Sequence, residues 1–312
     1  MFGTLCAWLV GRVGYLLYTL AVLVVCLWLL FPGRTARELL VRALNTAAPQ
    51  LDWRVETITG ELPGVLHLAG MEGHELGRGG DPVLRVDSLT LRPDLVTLVR
   101  QRLLQVAWRL EMAGGAVHGQ LYLPRPGSEL RVEGVMEGVR LAELVILEHR
   151  LQRGLQGTAA ADFTATVHSV PLSLTGLSAT ARVEDGRIDL KQPVLGHGFV
   201  PFGRVEVSLS LQDERLELTD GAVDSNLFTG TFTGDLRLGH DPATSQMTLT
   251  GSLQPRPEFF SAAGGDSVAL QAIRARLRDR SLPFRISGEL SNPDVHFEEF
   301  SMLFDALSTE SR

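Results

Sequence analysis

Lysine is almost absent from this chain of 312 residues, since Lys191 is the only one among its 29 basic residues. A phosphate-binding P-loop needs a lysine directly after a glycine-rich run, and no such run precedes Lys191. Cysteine occurs only at Cys6 and Cys26, so the chain beyond residue 26 can form no disulfide and no cysteine metal site. Hydrophobic residues nevertheless make up 45% of the chain, which is too many for a disordered protein and enough for a sizeable core.

Positive charge is scarce beyond the N-terminal region. Residues 1–42 carry four arginines and one glutamate, whereas the remaining 270 residues carry 25 basic and 35 acidic groups, a net charge of −10. Nucleic-acid binding depends on neutralising phosphates, so an anionic body of this kind argues against DNA or RNA as a partner. The same charge argues against electrostatic docking on anionic lipid head groups.

Enzyme motifs are absent as well. The chain contains no Gly-x-Ser-x-Gly elbow, no HExxH zinc motif and no GxGxxG loop. His74 and Glu75 begin the zinc pattern, but position 78 is Arg78 instead of the second histidine. We therefore predict a non-enzymatic protein with no catalytic residue, no metal and no cofactor.

An uncharged apolar run covers residues 13–33. As a helix it would rise about 31 Å, which matches the roughly 30 Å of bilayer hydrocarbon. We predict a single transmembrane helix here, after a short flank at residues 1–12 and before a juxtamembrane helix at residues 34–50. A cleaved signal peptide is the alternative, although its apolar core is usually only about 7–15 residues long.

The orientation of this anchor has two interpretations. Arg34, Arg37 and Arg42 follow the apolar run and Arg12 precedes it, and the positive-inside rule then places the body in the cytoplasm. A large domain behind a short N-terminal flank can however be translocated despite such charges. The charge count alone leaves both orientations open.

Apolar and polar residues alternate with a period of two over much of residues 51–297, which predicts an antiparallel sheet with one apolar face. A turn at residues 213–214 would pair Leu211 with Leu216 and Leu209 with Leu218. Asp185-Gly186 is a favourable type I′ turn and predicts a second hairpin that opposes Val183 and Ile188. Further strands are predicted over residues 65–68, 83–91, 103–110, 117–123, 227–238 and 247–253.

Four copies of a short pattern, apolar-(Thr/Ser)-Gly-x-Leu, occur at residues 58–62, 232–236, 249–253 and 286–290. Glycine inside a strand permits a bulge or a sharp bend, so the pattern predicts a curling sheet. The alternative is chance, because the chain contains 32 glycines.

Three helices are predicted to interrupt the sheet. The first covers residues 34–45, the second starts at Pro93, and the third starts near Asp266. The third carries four arginines between residues 274 and 280 on one face. We interpret that face as a solvated surface, with phosphate binding as the alternative.

Three segments resemble one known family. Gly-Tyr-Leu-Leu-Tyr at residues 14–18 leads through the apolar run to Phe31-Pro32. The segment 86–93 then leads into a leucine-rich turn, and the segment 284–293 closes the pattern. In this order they resemble the general secretion pathway protein N family of type II secretion, in its AsmA-like branch.

The resemblance implies a mostly β protein with a few helices, in which an N-terminal transmembrane helix precedes a curled antiparallel sheet. It also implies kinship with AsmA and TamB proteins, whose sheets form a groove with an apolar floor. The expected function is a non-enzymatic accessory role in type II protein secretion, with other secretion components as partners. The expected location is the inner membrane, with a single pass and the body, residues 51–297, in the periplasm; residues 298–312 are a C-terminal tail.

The alternative function is a lipid-binding or lipid-transfer module in outer-membrane biogenesis, with phospholipid as its ligand. The residues expected on the groove floor are Val183, Ile188, Val205, Val207, Leu209, Leu211, Leu216, Leu218, Phe228 and Phe232.

The predicted orientation can be tested with a reporter. Alkaline phosphatase folds into an active enzyme only in the periplasm, so a fusion after Arg312 should be active in cells. An inactive phosphatase together with an active cytoplasmic reporter at the same position would place the body in the cytoplasm.

Overall fold

The computed structural model describes residues 33–47, 50–61, 64–76, 80–101, 103–123, 129–169, 172–194, 197–212, 214–239, 244–260 and 281–297. Most of the predicted anchor, the predicted third helix and the C-terminal tail lie outside these ranges. No helix in the described part of the chain is long and apolar enough to cross a membrane.

The described residues form three α-helices and fourteen strands, with short 3₁₀ helices at Leu141–Glu143 and Pro257–Phe260. The helices are α1 (Gly33–Ala47), α2 (Leu95–Gln101) and α3 (Val145–Leu151). The first seven strands are β1 (Leu51–Glu61), β2 (Val65–Glu75), β3 (Leu84–Pro93), β4 (Leu104–Met112), β5 (Gly115–Leu123), β6 (Leu130–Arg140) and β7 (Leu155–Ser169). The others are β8 (Leu172–Val194), β9 (His197–Gln212), β10 (Arg215–Asp224), β11 (Phe228–Arg237), β12 (Gln246–Pro255), β13 (Leu282–Glu289) and β14 (Asn292–Phe297).

All fourteen strands form one sheet in chain order, and every neighbouring pair is antiparallel. Each strand therefore pairs with the one before and the one after it, and β1 and β14 stand at the two ends of the order. This confirms the prediction of a mostly β protein with an antiparallel sheet and few helices.

Apolar and polar side chains separate onto opposite faces of this sheet. One row of paired residues crosses all fourteen strands and contains only apolar residues and glycine. In strand order it is Gly60, Leu66, Leu91, Trp108, Gly119, Gly134, Phe163, Ala179, Leu209, Leu218, Gly234, Leu249, Ile286 and Val295. Successive side chains alternate between faces, so this row defines what we call the apolar face.

The next row along the strands belongs to the opposite, polar face. From β3 to β14 it reads Arg92, Ala107, Gln120, Glu133, Thr164, Ser178, Ser210, Glu217, Asp235, Thr248, Ser287 and Asp294. All but Ala107 are polar or charged. The strict period of two in the sequence thus becomes two chemically distinct surfaces.

The predicted hairpin around residues 213–214 is confirmed, because Leu211 pairs with Leu216 and Leu209 pairs with Leu218. The second predicted hairpin is wrong. Asp185 and Gly186 lie inside β8, which continues to Val194.

The Asp185-Gly186 pair forms a bulge instead of a turn. Asp185 has a left-handed φ of 48°, and β8 places two residues against the single Gly157 of β7 at this point. A two-against-one bulge shifts the alternation by one residue. Val183 and Ile188 therefore share the apolar face, although they belong to one strand and pair with Val205 and Val200 of β9.

Two clusters of buried residues lie under the helices. The first includes Trp53, Leu68 and Met71, and α1 packs on it through residues such as Leu44. The second surrounds Val139, which is 1% exposed. The helix α3 contacts both clusters through Ile146 and Leu144, which flank its start. The described helices therefore cover mainly the β1–β6 end of the apolar face.

Glycines on the apolar face mark close approaches between neighbouring strands. A side-chain carbon added to Gly119, Gly234 or Gly251 would overlap the carbonyl oxygen of Glu133, Thr248 or Thr231 on a neighbouring strand. At these glycines a neighbouring strand therefore approaches more closely than a side chain would allow. Gly234 and Gly251 belong to two of the four copies of the repeated pattern.

The close approach at Gly251 predicts that alanine will destabilise the protein there and not at an open glycine. Gly251→Ala should lower the free energy of unfolding by about 1–3 kcal/mol, because the new methyl group would force Thr231 and its strand outward. Gly198→Ala is the control, since no atom lies within 4 Å of its new methyl group. Urea unfolding followed by circular dichroism measures both, and equal midpoints would contradict the close approach at Gly251.

Candidate functional site

All ten residues predicted for the groove floor lie on the apolar face, and β8, β9, β10 and β11 bring them together as neighbours. The register connects them directly: Val205 pairs with both Val183 and Val223, and Phe232 pairs with Gly221. Val207 stands opposite Asp220 and Gly221, where β10 has a bulge. The structure thus assembles one continuous apolar surface from residues that the sequence separates by up to 49 positions.

The exposure of this surface separates it from a closed core. Of the ten residues, only Leu211 is buried, at 4% exposed, and the other nine are half-buried. In the row that crosses all fourteen strands only Gly134 is buried, and Val295 at the β14 end is 43% exposed. Most of the row therefore combines an apolar composition with partial access to solvent.

Aromatic rings fill the space above glycines on this face. Phe163 and Trp108 lie with ring centroids 6.3 Å apart, and a side-chain carbon on Gly134 would be 2.5 Å from Phe163 and 3.0 Å from Trp108. A second such row runs through Gly221, Phe232, Gly251 and Phe284. Broad rings alternating with bare backbone give a face whose depth varies from strand to strand.

Charged residues on the polar face neutralise one another. Glu206 accepts hydrogen bonds from Arg182 at 2.7 Å and from Arg204 at 2.5 Å. The hydrogen bond from Arg204, and after it the one from Arg182, hold the pKa of the Glu206 carboxyl below its ordinary value. The bond to Glu206 in turn raises the pKa of the Arg204 guanidinium. All three side chains are between 37% and 49% exposed, so this is a solvated ion-pair cluster of a kind that contributes little to stability.

A depression of about 620 Å³ also lies on the polar face, at the turn between β9 and β10. Its lining carries both charges, and Arg215 is 3.3 Å from Asp235 in an exposed ion pair. In the described ranges no three His, Cys, Asp or Glu side chains lie close enough together to hold a metal ion. Neither feature assembles a nucleophile, a base or a cation site.

The apolar face extends beyond the ten residues predicted from the sequence. It continues onto β12–β14 through Leu249, Phe284 and Ile286, and onto β4–β7 through Trp108 and Phe163. Period-two alternation is present in β6 and β13, and would have identified both. In β7, Phe163 is flanked on the apolar face by Ala159, Ala161 and Ala165, and these alanines carry a weak hydrophobic signal.

Comparison of the chain with family models, with curated proteins and with solved structures finds no match.

Residues on the groove floor are more exposed than residues in a closed core, so truncating them to alanine should lower the free energy of unfolding by less. Leu282→Ala should lower the free energy of unfolding by about 2–5 kcal/mol, because Leu282 is 1% exposed and its loss leaves a cavity. Leu209→Ala should cost only about 1 kcal/mol, since its half-buried side chain loses less contact area. Chemical unfolding of both variants tests this, and a loss at Leu209 as large as that at Leu282 would make the face a closed core.

Proposed function

We propose that the apolar face is a groove that binds the acyl chains of phospholipid, and that the protein is a non-enzymatic lipid-binding module. The observation that carries the proposal is the half-exposed apolar row that crosses all fourteen strands from Gly60 to Val295. An apolar surface of this size that is exposed to water needs apolar molecules to cover it.

The dimensions of the face suit acyl chains. Fourteen strands spaced about 4.8 Å apart give the row a length of roughly 60 Å along its curve. A bilayer hydrocarbon core of about 30 Å holds two layers of lipid tails, so one tail needs about 15 Å. The groove therefore has room for several tails side by side, and its polar outer face stays in water.

The shape of the face also favours tails over a protein partner. In the proposed groove the sheet bends around the apolar side at Gly119, Gly234 and Gly251, so that side is concave. The register places no charged side chain on the row itself, and its one polar side-chain atom is the indole nitrogen of Trp108. A concave surface with so few polar groups selects its ligand by size and apolarity.

The proposed setting is the inner membrane, with one N-terminal pass and the sheet in the periplasm. An accessory role in type II secretion is the second candidate function. It is supported by the segments that carry the family resemblance, which fill β3 up to α2 and the β13–β14 hairpin. A lipid groove and a role in secretion are compatible, since a secretion machine spans both membranes of the envelope.

Site-specific photo-crosslinking in the full-length protein tests lipid binding directly. A photoreactive phenylalanine analogue at position 209 should crosslink to radiolabelled phospholipid in cell membranes, because Leu209 lies on the groove floor. The same analogue at position 208 is the matched control, since Ser208 is also half-buried on β9 but belongs to the polar face.

Equal lipid labelling at positions 208 and 209, or none at either, would overturn the groove. Labelling of a protein of the secretion machine at position 209, in place of lipid, would favour the second candidate.

A further inference from the structure

One edge of the sheet is defined by the end of β1, the start of β2 and the helix α2, which connects β3 to β4. Even-numbered strands begin at this edge and odd-numbered strands end there. Gly64, in the turn between β1 and β2, lies beside Pro93: a side-chain carbon on it would be 3.6 Å from Cγ of Pro93. We refer to this side as the α2 edge; the opposite edge includes Leu76 at the end of β2.

The helix α1 runs from the α2 edge toward the opposite edge. Gly33, its first residue, is close to the Ile58 carbonyl near the end of β1. Farther along, Arg37 donates to the Glu56 carbonyl, and Asn45 Oδ1 accepts the Trp53 N–H at 3.1 Å. The helix α1 therefore begins at the α2 edge, and its first residue, Gly33, is also the last residue of the apolar run 13–33.

The helix α2 presents apolar side chains to solvent at the same edge. Leu95 is 44% exposed, Val96 61% and Leu98 39%. The helix is firmly held despite this exposure, because Asp94 caps its start. One Asp94 carboxyl oxygen accepts the N–H groups of Val96 at 3.0 Å and Thr97 at 3.1 Å.

The second Asp94 oxygen accepts the Thr97 hydroxyl at 2.6 Å, and this bond, followed by the Thr97 N–H, holds the pKa of Asp94 below its ordinary value. The Asp94 N–H in turn donates to the Gln105 carbonyl of β4 at 2.8 Å. A capped helix attached to the sheet at its start displays its apolar side chains in a fixed position.

We propose that α2 is a second membrane contact, whose Leu95, Val96 and Leu98 insert into the interfacial layer of the bilayer that holds the N-terminal anchor. This inference rests on the proposed membrane setting. The bilayer is favoured over a protein partner because α1 begins at this same edge directly after the apolar run, so an anchor in that run would hold the edge beside the lipid surface. Arg92 and Arg100, both exposed, flank the helix and suit the phosphate level of the head groups.

The contact is apolar in character. The body as a whole is anionic, and the two arginines act only locally, so the three apolar side chains supply the attraction. The contact should therefore persist in high salt, unlike binding through a basic patch. It stands apart from the proposed groove, since the edge can touch the bilayer whether or not the floor binds lipid.

Fluorescence of full-length protein in vesicles tests this contact. Cys6 and Cys26 are replaced by alanine, and an environment-sensitive dye is attached to Val96→Cys or to the control Leu76→Cys. Val96 and Leu76 are both 61% exposed, but they lie at opposite edges of the sheet. The vesicles contain phosphatidylethanolamine and phosphatidylglycerol, with and without bromine on the acyl chains near the head group.

The dye at position 96 should emit at shorter wavelength and lose most of its emission in brominated vesicles, and 0.5 M salt, a roughly 4 Å Debye length, should not restore it. The dye at position 76 should be unaffected by bromine. Equal quenching at both positions, quenching at neither, or failure of the protein to float with the vesicles would each overturn the proposal. Disulfide crosslinks between copies of the unlabelled Val96→Cys protein, together with no quenching of the labelled protein, would also overturn it and identify a second copy as the partner.

Discussion

The separation of apolar from polar side chains across fourteen consecutive antiparallel pairings is the constraint on which the rest of this structure depends. A row from Gly60 to Val295 contains no polar side chain, while the adjacent row carries charges and hydroxyl groups. A slip of one residue in any pairing would invert a strand and place charges on the apolar face. The register, the polar outer face and the candidate ligand surface therefore all result from the alternation of apolar and polar residues.

A single sheet with one apolar face must reduce the area of that face which meets water. Here α1 and α3 cover the first strands, and Phe259 packs edge-to-face on Phe228. Leu282 and Leu253 are buried, whereas most of the row is half-exposed. The partly covered face is what distinguishes this architecture from two packed sheets, in which each apolar face is closed by the other.

Strand alternation predicted most of the sheet, because a period of two is a local property of the sequence. It failed at Asp185-Gly186, where turn-forming residues make a bulge inside the 23-residue strand β8. Only the pairing of that segment with β7 and β9 decides between turn and bulge, and this information is not local. The helix α3 was not predicted, because its seven residues are too few to show a helical period in the sequence. The extent of the apolar face depended on which strands are neighbours.

Lipid content is the measurement that tests the central claim most directly. Residues 33–312 retain α1, which packs on the first strands, and would be expressed without the predicted anchor and purified without detergent. Extraction and mass spectrometry should then find phospholipid in at least equimolar amount, and Leu209→Asp should remove it while circular dichroism stays unchanged. A folded, monomeric and lipid-free body would contradict the account, because its apolar face would then be stable in water without a ligand.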